Sequence, residues 1–397
     1  MNRKKKILSA VIPVLCAVLV LSGLAIYGRV APQKEATSAP PSASAAPEVS
    51  STDPAEQDAT VSLIAVGDNL IHNTLIDSGR QSDGSYNYDA LYADFKQYIE
   101  PADIAVINQE TILGGSAFDY SGYPLFNSPW EIGEAAINAG FDVFTCATNH
   151  SLDMGTEGIE QEIAFFDEHP EVVHVGTNAS QQAYDTVTYY EKNGIVFALL
   201  NYTYGTNGIP LPDDKPWVVN MMDKDKIRKD VEAAKEKADV IIAFPHWGTE
   251  NSMSVSDYQR EYAQLFCSLG VDIVIGTHPH VLEPVEWVTD EESGNRTLVY
   301  YSIGNFISHQ TNRNQLLGGM AEITIARKNG EISITSAQLC PTVCHYYREN
   351  GAYHFAVYKL SEYTDELAGA HVVDDLSVAY FTELAGSTIS DEFLDIS

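Results

Sequence analysis

Positive charge is what this chain most lacks. It carries 23 Lys and Arg against 55 Asp and Glu, a formal net charge of −32 over 397 residues. Four of the cations, Arg3, Lys4, Lys5 and Lys6, stand together at the N-terminus. Beyond them 19 basic residues face 55 acidic ones, a formal charge of −36. No basic stripe is left to hold a phosphate backbone, which excludes nucleic acid as a partner, and the acidic excess reads as a solvated exterior. Cysteine is also scarce, with five residues. Cys16 sits in an N-terminal apolar run, Cys146 on an expected strand and Cys267 in an expected helix. Only Cys340 and Cys344, in C-P-T-V-C, are candidates to pair, and only if that loop bends sharply, because four residues of extended chain exceed the Cα separation a disulfide tolerates. There is no G-x-S-x-G nucleophile elbow, no P-loop, no Rossmann glycine fingerprint and no internal repeat, so serine-hydrolase and nucleotide-cradling chemistries have no sequence basis.

What is present begins with a topological signal. After the basic residues 1–6, Ile7 to Tyr27 runs for 21 residues without a charge, long enough to span a bilayer. The basic cluster predicts a cytoplasmic N-terminus, a transmembrane anchor at 7–27 and the rest of the chain outside the cell. A cleaved signal peptide is the competing reading, although the apolar run is long for one and no convincing small-x-small site closes it. Residues 28–60 are rich in Pro, Ala and Ser and have almost no large apolar side chains, which predicts a linker. The folded domain is expected over 61–361. From 362 to 397 the chain is acidic and weakly patterned, and reads as a tail.

Within the domain, apolar runs alternate with helical periodicity. Strands are expected at Val61 to Val66, Ile104 to Ile107, Phe141 to Ala147 and Val172 to Val175. Between them lie helices at Tyr88 to Ile99, from Ser128-Pro129-Glu131 (an N-cap, a Pro at the first helical position and a capping-box carboxylate) to near Gly140, and at Gly155 to Glu168. That order predicts parallel pairing. Antiparallel strands then enter. Thr186 to Tyr190 and Ile195 to Leu200 flank Lys192-Asn193-Gly194, while Met320 to Ala326 and Glu331 to Ala337 are joined through Asn329-Gly330; both are hairpin signals. Asp223 caps a charged helix, Val240 to Phe244 is a buried strand, and Ser256 with Gln259 makes a capping box for a helix to Leu269. Val271 to Ile275 and Leu298 to Ile303 are further strands, and Tyr353 to Leu360 is a candidate last one.

The strand ends carry the chemistry. Val271 to Ile275 stops at Gly276-Thr277-His278-Pro279-His280; in extended backbone His278 and His280 would point the same way, toward one ion or one each of a pair. Other strands end at Asp68 with His72 after it, at Asn108 and Glu110, at Asn149-His150, at His246 with Glu250 beyond, and at Asn305. Open α/β sheets place ligands at such edges. Every donor is nitrogen or oxygen, which suits two divalent ions, Mn, Fe or Zn, in a mixed imidazole and carboxylate site better than a thiolate zinc site. Ions of that kind acidify a water for use as nucleophile, and a histidine not needed as a ligand can serve as acid; His150 is the candidate.

With VGDNLIH, INQET, ATNH followed by SLDMG, PHWGTE, GTHPHV and YSIGNF in view, residues from about 61 to 342 resemble the CapA family of poly-γ-glutamate capsule biosynthesis proteins, whose fold is similar to the calcineurin-like metallophosphatases. The resemblance implies an αββα sandwich of two mixed sheets and a membrane-anchored protein acting with synthase subunits on poly-γ-glutamate assembly or export. By position it implies Asp68, Glu110, Asn149, His246, His278 and His280 as metal ligands and His150 as the acid. The strand-end residues His72, Asn108, Glu250 and Asn305 are candidates for an additional site on their placement alone. Two departures stand out: three residues separate Asp68 from His72 where the metallophosphatase motif is Asp-x-His, and Asn108-Gln109-Glu110 replaces Gly-Asp-x-x-Asp. Two functions therefore remain open. One is a hydrolase acting on a phosphate ester or a γ-glutamyl amide; the other is a non-catalytic scaffold or polymer-binding subunit on the same fold.

Overall fold

The computed structural model describes residues 57–397. The expected anchor, and the linker up to residue 56, lie outside them. Among the described residues no helix is long and apolar enough to cross a membrane.

The first half of the domain is built as its alternation implies. Strands β1 (Ala59–Asn69), β2 (Ile104–Asn108), β3 (Val143–Thr145) and β4 (Val173–Val175) lie side by side in parallel. Their connections hold α1 (Asn73–Ser78), α2 (Asp89–Tyr92), α3 (Lys96–Ile99), α4 (Trp130–Ala139) and α5 (Gly155–Glu168). After α6 (Gln181–Tyr184) the chain forms the Asn193-Gly194 hairpin of β5 (Thr188–Lys192) and β6 (Ile195–Thr203). It continues through α7 (Lys224–Lys235), β7 (Val240–His246), α8 (Asp257–Leu269), β8 (Ile273–Ile275), β9 (Val285–Thr289) and β10 (Arg296–Tyr300), which complete a six-stranded sheet in the order β5-β6-β7-β8-β10-β9. Short β11 (Asn305–Ile307) returns to the end of β1. β12 (Leu317–Lys328), β13 (Glu331–Glu349) and β14 (Ala352–Lys359) then extend the first sheet to eight strands, antiparallel from β1 outward.

Period-two alternation explains the layers. Phe197 and Leu199 of β6 share a core with Leu63, Ile323 and Leu339 of the first sheet. Ala198, Leu200 and Tyr202 on the opposite face pack with Ile227 and Val231 of α7 and Phe266 of α8. Tyr92, Ile99, Ile132 and Phe165 bring helices onto the first sheet. The result is two mixed sheets packed together with helices outside.

Several local expectations are corrected. β1 opens at Ala59, inside the stretch read as linker, and the 271–275 strand is hydrogen-bonded as β8 only from Ile273. The 88–99 helix breaks into α2 and α3, because Phe95 N donates to Tyr92 O and Tyr98 N to Phe95 O, tighter turns that interrupt the α-helical ladder. Ser128 does not cap α4. Pro129 stands at the N-cap, and the Ser128 hydroxyl bonds that of Thr111 at 2.8 Å. The segment 362–397, read as an acidic tail, carries two short helices: α9 (Asp365–Ala370) and α10 (Val378–Thr388) are capped by the Thr364 and Ser377 side chains. Phe381, Ala385, Ile389 and Phe393 are buried there, an apolar stripe at four-residue spacing hidden among acidic residues. Cys340 and Cys344 lie four apart within the continuous strand β13, both buried and both free, so the turn their pairing needed is absent.

Candidate metal centre

Parallel pairing aligns the carboxyl ends of β1, β2 and β3 in one sheet and of β7 and β8 in the other, and the packing of the two sheets brings the polar side chains at these ends together. Asp68 ends β1. Its Oδ1 accepts from Asn108 Nδ2 at 2.8 Å, and Asn108 Oδ1 in turn accepts from the Thr145 hydroxyl. Asn108 is thus a positioning residue for Asp68. Asp68 Oδ2 lies 2.9 Å from His280 Nδ1, whose other nitrogen is 3.6 Å from Glu110 Oε1. Asp68, Glu110 and His280 each offer a ligand atom within 4.8 Å of the others, and all three are buried.

Glu110 Oε1 is also 3.9 Å from His246 Nε2, which opens the second half of the cluster. Asn149 Oδ1 is 2.9 Å from that same nitrogen, and the His278 ring centroid is 4.9 Å from that of His246. His246 Nδ1 meets the Thr277 hydroxyl at 2.9 Å. Because a hydroxyl both donates and accepts, Thr277 can accept a hydrogen bond from Nδ1–H and leave the Nε2 lone pair free for an ion.

Backbone geometry differs from the sequence expectation at His278 and His280. They are not extended: φ is +97° and +61°. Positive φ in a non-glycine residue costs on the order of 1–3 kcal/mol and persists where the surroundings over-determine it. Glu110 shows the electrostatic counterpart. Both of its carboxylate oxygens, and His278 Nδ1, are buried without a hydrogen-bond partner. Burial pushes the Glu110 carboxyl well above its usual range, against the pull of His280 and with repulsion from Asp68. Burial would lower His280, but Glu110 and Asp68 overcome it and carry the imidazole up to about 9. Burial and neighbouring histidines hold His246 well below 6.5 and His278 near 3, so both are neutral donors at pH 7. A buried carboxylate with no partner beside neutral imidazoles fits a divalent cation, which would satisfy the orphaned atoms.

His150 stands beside this cluster. Its Nδ1 is 2.7 Å from Asp153 Oδ2, which also accepts from Phe126 N, and Phe126 packs edge-on against the imidazole. Asp153 escaped the sequence reading, although its i, i+3 spacing from His150 was visible in N-H-S-L-D. Asn207, bonded to Asn149, and Tyr204, packed on His278, were missed because they lie on the loop after β6, which has no recognisable motif. His150 opens into a cleft of about 370 Å³ lined by Tyr123, Pro124, Leu125, Asn207, Ile209 and Glu250. Glu250 is exposed at this mouth, outside the buried cluster. His72 is also apart, edge-on to Phe126 with Nδ1 between Leu70 O and His309 N. A second cavity of about 270 Å³ borders Lys226 and Asp230, which are bonded to each other, and is lined by none of these donors.

Fold and site together define a two-sheet α/β protein with a buried carboxylate–imidazole centre at the carboxyl ends of its strands. Sequence comparison places it more closely. Residues 62–310 match the family described as Bacterial capsule synthesis protein PGA_cap, and the chain belongs to that family. The PGA biosynthesis protein CapA of Bacillus subtilis (strain 168) is 32% identical over 172 residues, 43% of this chain and 43% of that protein. The Capsule biosynthesis protein CapA of Bacillus anthracis is 29% identical over 182 residues, 45% of this chain and 42% of that one. The matched region thus spans less than half the length of these relatives. Among solved structures, the NAD nucleotidase NadN of Haemophilus influenzae superposes with a TM-score of 0.45 at 14% identity, over 85% of this chain and 64% of that one. The calcineurin-like phosphoesterase YfkN of Bacillus subtilis gives 0.40 at 15% identity, over 82% and 96%.

Proposed function

We propose that this protein is anchored in the cell membrane with its domain outside the cytoplasm, and that it acts with synthase subunits in poly-γ-glutamate capsule assembly or export through a two-metal hydrolytic centre. Family membership supports the pathway, and the relatives named for poly-γ-glutamate biosynthesis point to the polymer. The basic cluster and apolar run at the N-terminus support the anchor. The observation that carries the centre is Glu110: a fully buried carboxylate with both oxygens unpartnered, set between His246 and His280.

Asp68, Glu110 and His280 would hold one ion and Glu110, Asn149, His246 and His278 the other. Bound divalent ions would supply Lewis-acid activation of a water and of the scissile group. His150, oriented by Asp153, is placed at the cleft to move a proton to or from the leaving group. The residues lining that cleft include Glu250 and no Lys or Arg. Attraction for a γ-glutamyl carboxylate or a phosphate must therefore come from the ions. Elemental analysis of the untagged chain, supplied with Mn, Fe and Zn, tests the reading: about two ions per chain is expected, and a metal-free protein would leave the scaffold function standing. Protease added to intact cells should remove the domain; protection until lysis would overturn the topology.

A further inference from the structure

Asn305 has a geometry that a plain structural asparagine does not need. It is the in-register partner of Asp68 where β11 joins β1, and Asp68 N donates to Gly304 O at 3.0 Å. Glycines make this approach possible: a Cβ on Gly67 would stand 1.8 Å from Gly304 O, and one on Gly318 would stand 1.9 Å from Asn305 O. The side chain is 1% exposed.

Its amide is held in one orientation. Nδ2 donates to Gln310 Oε1 at 2.7 Å and to the backbone oxygen of Gln315 at 3.0 Å, with the His280 carbonyl 3.4 Å away. Two of these are main-chain carbonyls, which only accept, so the nitrogen end of the amide must face them. Gln315 is itself anchored, since its Oε1 accepts from Asn312 N and its Nε2 donates to Asn251 Oδ1. The oxygen end of Asn305 is thereby turned inward. It lies 3.1 Å from His280 Nδ1, the nitrogen that also meets Asp68 Oδ2.

The two halves of the centre are otherwise unequal. The side with Asn149, His246 and His278 has two imidazoles, an amide oxygen and Glu110; the other has Asp68, His280 and Glu110. We propose that Asn305 Oδ1 is the missing donor, an oxygen ligand that makes the Asp68–His280 half an oxygen-rich seat for a hard divalent cation such as Mn²⁺. This rests on the two-metal reading above. A neutral amide oxygen adds a ligand without a third carboxylate charge, which a buried pair of acids would oppose.

The test uses the full chain and Mn²⁺ or Co²⁺ alone. Wild type should take up two ions, Asn305→Ala one, with folding followed by circular dichroism in the same samples. Asn305→Cys loaded with two equivalents of Co²⁺ should show a thiolate-to-cobalt charge-transfer band in the near ultraviolet that wild type lacks. A residue that only orients His280 would give no such band. Asn305→Ala holding two Mn²⁺ at wild-type affinity, or two bound Co²⁺ in Asn305→Cys without the band, overturns the inference while leaving the centre intact. A wild-type chain that binds no ion overturns the centre and the inference together. Should Asn305→Ala fail to fold, Gln310→Leu on its half-exposed loop decides. Several-fold weaker binding of the second Mn²⁺ supports the ligand role, and unchanged binding refutes it.

Discussion

The two ends of the parallel strands treat the same kind of side chain in opposite ways. At the amino ends, Asp103, Asp142, Asp239 and Asp272 each stand one residue before a strand, and each accepts a backbone N–H from the neighbouring strand. The donors are Ser62, Ala105, Val196 and Ile241, at 2.7–2.9 Å. Asp239 also pairs with Arg327 at 2.7 Å. At the carboxyl ends, Glu110 is buried with no partner, and two histidines hold positive φ. One edge spends its carboxylates on closing the sheet, whereas the other leaves its carboxylates open to a ligand. The contrast separates residues that stabilise the fold from residues that destabilise it for the sake of a site.

Removing the two proposed ions should expose that difference most. A ligand at a hundred times its Kd contributes about 2.7 kcal/mol, so two such ions contribute about 5 kcal/mol together. Chelation should therefore lower the melting temperature by on the order of 10 °C, read by calorimetry before and after adding back Mn²⁺. A melt that ignores chelator would remove the ligand role from the carboxyl edge. At the opposite edge, Asp239→Ala should cost about 1–2 kcal/mol, because Val196 N loses its acceptor and the Arg327 guanidinium loses one of its partners. Its metal content should stay at the wild-type value. Loss of ions in that variant would mean the two edges are not independent.

Glu110→Gln reverses the pattern. It should abolish uptake of both ions, since Glu110 is the carboxylate placed between the two halves, yet leave the metal-free chain no less stable, because burial already disfavours the ionised Glu110 carboxyl and a neutral amide escapes that cost. Denaturant titration in chelator, alongside elemental analysis, measures both. A destabilised metal-free variant would show that Glu110 serves the fold.

The amino-edge device was legible and went unread. Ala-Asp-Ile-Ala-Val, Phe-Asp-Val-Phe, Ala-Asp-Val-Ile-Ile and Val-Asp-Ile-Val-Ile repeat one pattern, an Asp before an apolar run. The strands themselves, both Asn-Gly hairpins and the Ser256–Gln259 capping box were visible because each is a local rule: alternation, turn chemistry, a three-residue spacing. The donors at the carboxyl edge were visible because they follow those strands directly. Their grouping depends on strand order, which places β2 between β1 and β3 and sets β7 beside β8. Asn207 and Tyr204 lay beyond such rules, as did the φ values of His278 and His280, which tertiary contacts impose. The C-terminal helices were missed for a different reason: Phe381, Ala385 and Ile389 repeat every four residues, but their window is short and the surrounding charge obscures it.

The smallest expected effect lies at Glu162 on α5, whose partners follow the carboxyl ends of β2 and β4 but stand outside the candidate metal centre. This carboxylate is buried, accepting from Leu113 N at 3.3 Å and from the Thr177 hydroxyl at 3.1 Å. Burial outweighs those bonds and raises it from 4.5 to about 7. The folded chain therefore keeps a proton at this position that the unfolded chain releases. Below pH 4.5 both states are protonated and the fold bears no penalty. As pH rises from 4.5 toward 7 the unfolded state ionises first, so stability falls across that window and levels off above it. Glu162→Gln removes the ionisation. Its amide oxygen can still accept from Leu113 N, and its nitrogen can donate to a Thr177 hydroxyl that has rotated to accept. The exchange gives up the extra strength of bonds to a charged acceptor, which leaves a net gain of about 1 kcal/mol at pH 8 and none at pH 4. Urea titrations of the two chains in chelator, at those two pH values, give the comparison. Equal stabilities at pH 8 would mean that Glu162 is ionised in the fold at no cost, and that a buried carboxylate without a counter-charge is tolerated in this domain outside the candidate metal centre.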